Sequence, residues 1–344
     1  MPSIALSVLD QSPIRSGGTA RQAIDETLAL ARLCDRLGYR RYWLAEHHNT
    51  NSFAGSAPEI LIARVAQETQ RLRVGSGGVM LTHYSPLKVA EQFRVLETLY
   101  PGRIDLGLGR APGADPRTTT ALQAGPQGFG IEAYPQQVQM LQAYLADACG
   151  EAPFGPEHPL ARIHASPRGP GMPEIWLLGS GIHSAVYAAE LGLGFSFAHF
   201  IAQEEGEPIL EAYRQRFKPS AAFAIPRASF GVFALCAETA QEAARLALSR
   251  NLWVVRLLKG QHTPFPSPEE AAAHNFSEEE RAILRAVEGR GIVGTPDHVH
   301  ARIMEMAARY GAQEAIILTI THDFQARMRS YELMAAAFGL AAAA

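Results

Sequence analysis

Short apolar runs alternate along the chain with longer segments whose apolar positions recur every three or four residues. The runs "IALSVLD", "RYWLAEH", "LRVGSGGVML", "RIDLGLG", "EIWLLGS", "GFSFAHF", "ASFGVFALCA" and "EAIILTI" read as strands. The segments between them read as amphipathic helices: "TARQAIDETLALARLCDRLGY", "SAPEILIARVAQETQ" with Ser56 as candidate cap and Pro58 in its first turn, "PLKVAEQFRVLETLY", "GIHSAVYAAELG", "EEGEPILEAYRQRF" and "TAQEAARLALSRNLWVVRLL". The strand runs are nearly continuous in apolar residues, as a parallel sheet covered on both faces requires. Eight strand–helix units predict a (β/α)8 TIM barrel in preference to an open doubly wound sheet.

Two stretches interrupt this rhythm. Residues 110–133 are rich in Gly, Pro and Thr, and 259–295 contain "HTPFPSPEEAAAHNFSEEE" ahead of "GIVGTPDHV". They follow the fourth and seventh strands, which puts both on the C-terminal face of a single barrel domain spanning residues 1–344. Long connections of this kind serve as binding loops or lids. The second is therefore expected to be a lid insertion, with a tolerated surface insertion as the plainer alternative.

Composition narrows the function classes. Of 344 residues, 47% are hydrophobic and 19% charged, and a net charge of -3 provides no basic footprint for nucleic acid. Cys34, Cys149 and Cys236 are widely separated and form neither a CxxC pair nor a disulfide framework, which suits the reducing cytoplasm. The start "MPSIALSVLDQSP" lacks the charged n-region of a signal peptide, and no uncharged run approaches the roughly 18 to 20 residues needed to cross a bilayer.

In a barrel, polar residues at the C-terminal strand ends surround the active-site mouth. That rule gathers Asp10, Gln11, Glu46, His47, His48, the glycines from Gly75 to Gly78, Arg110, Ser180, His199, His322 and Asp323. The adjacent His47 and His48 cannot both face the axis unless the strand has already ended. They lack HxH or HExxH spacing, so a metal site competes poorly with a structural histidine pair or with acid–base work. Three glycines in four residues of "GSGG" point either to a β-bulge or to bare backbone approached by a flat ligand. Gly179, Ser180 and Gly181 lie between a strand and a helix start, where free amides and the helix dipole favour a phosphate; the alternative is an ordinary Ser-capped helix. Arg110 is suited to a phosphate or carboxylate. A flat phosphorylated cofactor, flavin mononucleotide, fits this set.

The segments "GYRRYWLAEHHN", "LRVGSGGVML", "SPLKVAEQFRVLETLYPGRIDLGLGRAPG" and "IWLLGSG" together resemble the bacterial-luciferase-like, FMN-dependent monooxygenases, and the likeness in order and spacing runs from Ile4 to Phe338. The resemblance implies a barrel that takes reduced FMN (FMNH2) from a separate flavin reductase. It further implies reaction with O2 to a C4a-peroxyflavin, which monooxygenates a small organic substrate. It assigns flavin-side proton transfer to His47, a non-proline cis peptide beneath the ring to Gly77 and Gly78, a place near the flavin phosphate or ring system to Arg110, and phosphate binding to Ser180, with Gly179 and Gly181 flanking it on the local pattern. No metal is implied, and His48 becomes a supporting partner. A homodimer through the helices "PEILIARVAQETQ" and "LKVAEQFRVLETLY" is also implied. Gly109 stands where the luciferases have a reactive cysteine, and Gly179 where they have a glutamate, so light emission and an aldehyde substrate are not. Two readings compete on the same barrel: hydride transfer with the deazaflavin F420, and a flavin-binding protein without catalysis.

Overall fold

The computed structural model describes residues 4–111, 115–123, 130–287 and 289–340. Its strands are β1 Ala5–Asp10, β2 Arg41–Leu44, β3 Arg73–Met80, β4 Ile104–Gly109, β5 Glu174–Gly179, β6 Gly194–Ala198, β7 Ala228–Cys236, β8 Gly291–Gly294 and β9 Glu314–Leu318. The helices are α1 Ala20–Leu37, α2 Pro58–Glu68, α3 Pro86–Leu99, α4 Pro116–Leu122, α5 Tyr134–Ala148, α6 Ile182–Glu190, α7 Gly206–Arg216, α8 Ala240–Leu258, α9 Pro268–Ala273, α10 Glu278–Val287, α11 Pro296–Tyr310 and α12 Phe324–Ala337. Strands β1 to β7 pair in sequence, β9 joins β7 to β1, and every pairing is parallel. That is the closed eight-stranded barrel the apolar runs predict.

Local signals set several boundaries. Thr19 and Gln22 form a reciprocal capping box at the start of α1, and Gly38, with φ 86°, ends it in the left-handed conformation. Ser56 is not a cap: α2 begins after Ala57 without a side-chain cap, and Pro58 supplies the helical φ of its first turn.

Side-chain alternation sorts each strand into an outer and an inner set. Leu6, Val8, Tyr42 and Leu44 join the large core between barrel and helices, while Leu9, Trp43, Trp176 and Ile316 pack inside. The register that pairs Leu9 with Trp43 makes these inward residues a layer, and Trp43 and Trp176 meet edge to face with centroids 5.6 Å apart. Below them lies a charged floor. Buried Arg41 contacts Asp105 (2.8 Å), Glu174 (3.0 Å) and Glu314 (2.9 Å), and the Trp43 indole N–H donates to Asp105 (2.9 Å).

The connection from β7 to β9 departs from the simple repeat. It holds α8, α9, α10, β8 and α11, and α8 contributes Trp253, Val254, Leu257 and Leu258 to the wall of the mouth cavity. The helix that packs beside α7 and α12 is α11. Strand β8 was not legible: four residues bounded by glycines carry no strand periodicity. It pairs with Phe233–Cys236 of β7, continuing along the edge that β6 leaves at Ala198. The stretch between α8 and α9 is tied down. Phe265 N donates to Ile14 O (2.9 Å), Ser16 N donates to Phe265 O (2.8 Å), and Ser52 Oγ donates to Thr263 O (2.7 Å). Within 110–133 the described part contains α4 and a single 3-10 turn, Ile131–Ala133; residues 112–114 and 124–129 lie outside the described residues.

Candidate active site

One cavity of about 620 Å³ opens at the C-terminal end of the barrel. His47, Gly77, Gly78, Arg110, Gly179, Ser180 and Gly181 all line it. Five other expected mouth residues, Gly75, Asp10, His199, His322 and Asp323, do not. Buried Asp10 is bound by Arg327 (2.8 Å) and accepts from Ser12 N (2.9 Å), while Asp323 caps α12. His199 meets Tyr310 and Gly289 O, and the His322 ring lies 3.1 Å from Ser16 O. Arg327 reaches Asp10 from α12, so a position that looked like mouth chemistry is a buried ion pair holding the end of β1.

Strand β2 ends at Leu44, which frees both histidines to reach the cavity. Buried Glu46 organises this corner. Its carboxylate accepts from Met80 N (3.0 Å), from the Tyr84 hydroxyl (2.7 Å) and from His48 Nε2 (2.7 Å), which must be the donor because a carboxylate only accepts. Burial, and then the Glu46 charge, raise the Tyr84 phenol well above its ordinary range, so it stays a donor.

His47 is committed to nothing comparable. Its backbone N–H donates to Gly55 O (2.9 Å), and its ring packs against Phe53 at 4.4 Å. Nε2 lies 3.4 Å from Gln11 Nε2, and Nδ1 is buried without a partner among the described residues. Burial, and secondarily the neighbouring His48, lower its pKa to about 4. A neutral imidazole at physiological pH, with no carboxylate among the described residues to orient it, leaves hydrogen-bonding capacity for a ligand.

The β-bulge reading of the β3 glycines is realised. The β3–β4 register shifts between Gly77 and Val79, and the Gly77–Gly78 peptide is cis. A Cβ on Gly78 would stand 2.7 Å from the backbone oxygen of Gly107, which cannot give way, and one on Gly77 would stand 2.6 Å from Leu9 Cδ1 and 3.0 Å from Trp43 Cβ. The barrel core thus forbids side chains here, and bare peptide faces the cavity.

At the β5 end the Ser-capped alternative fails. The N-cap of α6 is Gly181, and no side chain caps it, so the first-turn amides of α6 are left for a ligand. A Cβ on Gly181 would meet nothing within 4 Å, so there is open space in front of them. Ser180 and Arg110 are half-buried beside this space, and Arg110 forms no ion pair among the described residues. No cluster of His, Cys, Asp and Glu among the described residues would hold a metal ion.

A model of the luciferase-like monooxygenase family matches residues 4–314. The chain belongs to that family. Its relatives include the N-acetyl-S-alkylcysteine monooxygenase of Bacillus subtilis, 37% identical over 337 residues, covering 96% of this chain and 97% of the relative. Protein YwcH of the same organism is 44% identical over 339 residues, covering 97% and 99%. The crystal structure of apo-MsnO8 superposes with a TM-score of 0.88 at 39% identity, covering 99% of both chains. More distant structures share the fold alone. An FMN complex of the oxygenating constituent of 3,6-diketocamphane monooxygenase (TM-score 0.69, 19% identity, 97% of each chain) is one. An F420-dependent secondary alcohol dehydrogenase (TM-score 0.67, 12% identity, 98% of this chain and 93% of that one) is another. Likeness of fold therefore does not separate the two flavins.

Several cavity residues escaped the sequence reading. Arg250, Trp253, Val254, Leu257 and Leu258 of this luciferase-like monooxygenase line the cavity from one stripe of α8, and Arg290 lines it from just before β8. A signal for the stripe existed: spacings of three and four put an arginine among its apolar positions. It was unreadable without knowing that α8 lies over the mouth.

Proposed function

We propose that the protein monooxygenates a small organic substrate with O2 and reduced FMN delivered by a separate flavin reductase. The observation that carries this reading is convergence in one cavity. Uncapped α6 amides with Ser180 and Arg110 supply a phosphate seat, Gly77–Gly78 a side-chain-free wall, and His47 an imidazole whose Nδ1 has no partner among the described residues. The groups present fit FMN in kind: anion donors at one end and flat bare backbone further in. Bound reduced FMN would supply the two electrons that divide O2 between substrate and water.

The chain's own residues do the rest. The Ser180 hydroxyl, the amides following Gly181 and the Arg110 guanidinium hold and neutralise a phosphate. His47, neutral and partly desolvated, gives a proton to, or takes one from, the reacting centre. Glu46 fixes the loop through His48, Tyr84 and Met80 N, keeping the imidazole in place without ionising it. The segment 259–295 acts as a lid, a role supported by His262, Val287 and Arg290 on the cavity wall. The reaction is placed in the cytoplasm, in keeping with three unpaired cysteines; no helix among the described residues is long and apolar enough to cross a membrane.

Cofactor titration tests the reading. FMN is expected to bind at least about tenfold more tightly than riboflavin, because a phosphate engaged by several charge-assisted hydrogen bonds contributes upward of 1.4 kcal/mol. Ser180→Asp is expected to abolish that preference while leaving riboflavin binding nearly unchanged. Binding of F420 with no binding of FMN would replace monooxygenation with hydride transfer. Slow release of oxidised FMN without turnover would favour a flavin-binding role.

A homodimer is part of the proposal. Ile60 on α2 is 68% exposed, and Val95 and Leu99 on α3 are 47% and 58% exposed, an apolar patch on the two helices singled out for pairing. Light scattering is expected to give a dimer for the native chain and a folded monomer for Ile60→Glu/Leu99→Glu. A native monomer would remove the dimer.

A further inference from the structure

Arg250 stands out among the arginines. Nearly all the chain's buried or half-buried guanidinium groups are spoken for, as Arg41 and Arg327 are by carboxylates and Arg94 and Arg103 by backbone carbonyls. Arg250 is half-buried and has neither a hydrogen bond nor an ion pair among the described residues; its guanidinium lies 4.2 Å above the Phe233 ring. A cation–π contact contributes less than taking a charge out of water costs. Burial, and then the charge of Arg290, lower the Arg250 pKa to about 10, which still leaves it charged at neutral pH. Arg290 is likewise half-buried and unpaired among the described residues.

Among the described residues, the cavity offers these cations no free protein anion. Its one acidic lining residue, Glu46, is already occupied by His48, Tyr84 and Met80 N. Arg250 and Val287 also line a second recess of about 320 Å³ under α10, so the guanidinium stands between two spaces. Arg285 in that recess is paired with Glu278 and adds no free charge there. The rest of the α8 stripe, Trp253, Val254 and Leu257, is apolar. An uncompensated cation beside an apolar wall is the arrangement that holds an amphiphilic anion.

We infer that the substrate carries an anionic oxyacid group, a carboxylate in the first instance, seated on Arg250 with Arg290 beside it, and an apolar body along the α8 stripe. Phosphate and carboxylate are both anions, so the inference rests on the proposed function in one respect: the cofactor phosphate is placed at Ser180 and Arg110, leaving Arg250 for the substrate. The pair then selects for the substrate's charged end and aims its other end down the barrel, toward His47.

The test is direct binding to the full chain, with and without FMN, followed by Trp fluorescence and flavin absorbance. The probes are benzoate, phenylacetate and hexanoate, each against its neutral amide. At least one acid is expected to bind about tenfold or more tightly than its amide, as one charge-assisted pair allows. Arg250→Met should reduce that ratio to within about twofold, and Arg250→Lys should restore part of it. Arg250→Met should melt at the native temperature or above, since it removes an uncompensated charge, whereas a merely structural brace would melt lower. No preference for any acid over its amide overturns the inference. So does a tenfold loss of FMN affinity in Arg250→Met with riboflavin affinity unchanged, which would assign the arginine to the cofactor phosphate. If the acids show the preference but FMN does not bind, the anion site stands and the FMN reading falls.

Discussion

His47→Ala is expected to lower coupled substrate oxidation by roughly 10²-fold or more, while FMN affinity changes by no more than a few-fold. Electrons from reduced FMN should then appear as hydrogen peroxide, and the ratio of peroxide to product is the measurement to make. The expectation follows from how little of the imidazole the protein uses: Nδ1 has no partner among the described residues, and Nε2 has only the 3.4 Å approach of Gln11. A histidine kept for packing would show its loss in stability and leave the peroxide ratio alone. The same residue predicts a pH effect on folding. Its pKa is about 4 in the folded protein against about 6.5 in an unfolded chain, so between those values the unfolded state binds the extra proton. Its contribution to stability is therefore present above pH 6.5 and declines as the pH falls toward 4. His47→Gln should flatten that part of the melting-temperature profile relative to the native chain, and parallel profiles would contradict the low pKa.

Arg41→Leu is expected to reduce the free energy of unfolding by about 3–5 kcal/mol, measured by urea denaturation of soluble protein. The side chain is 2% exposed and holds Asp105, Glu174 and Glu314 together at the barrel floor. Its guanidinium also lies 4.7 Å from the Trp176 ring. Removing it leaves three carboxylates crowded with their main counter-charge gone. The desolvation those groups have already undergone is then uncompensated, whatever the intact cluster contributes in net terms. Arg41→Lys should fall between, because an ammonium cannot present a planar fork to several carboxylates at once. A loss below about 1 kcal/mol would mean that the floor repacks or admits water.

This histidine and this arginine sit in a molecule only parts of which could be read from the chain. The closed barrel was legible because its eight strands are buried on both faces over most of their length, so burial imprints a continuous apolar run that survives in one dimension. The site was legible where its residues sit at strand ends, since barrel geometry converts a place in the sequence into a place at the mouth. The rule overreached at Asp10, whose partner Arg327 lies 317 positions away and leaves no local trace. It was silent about Arg250, because the direction a helix takes after its strand depends on packing and not on its own periodicity. Ser56 failed as a cap for a more local reason: Pro58 already fixes the first turn, so the helix begins one residue later than the hydroxyl would suggest.

Strand β8 has a bearing on how the roof of the mouth can be studied. Because it takes over the edge of β7 from Phe233 to Cys236, where β6 has ended, the roof belongs to the rim of the sheet. Excising 259–295 would uncover a flat, apolar stretch of main chain ready to zip onto another molecule. Such a truncation would report self-association and chaperone demand before it reported anything about oxygen chemistry. Point changes on the α8 stripe leave that seam closed.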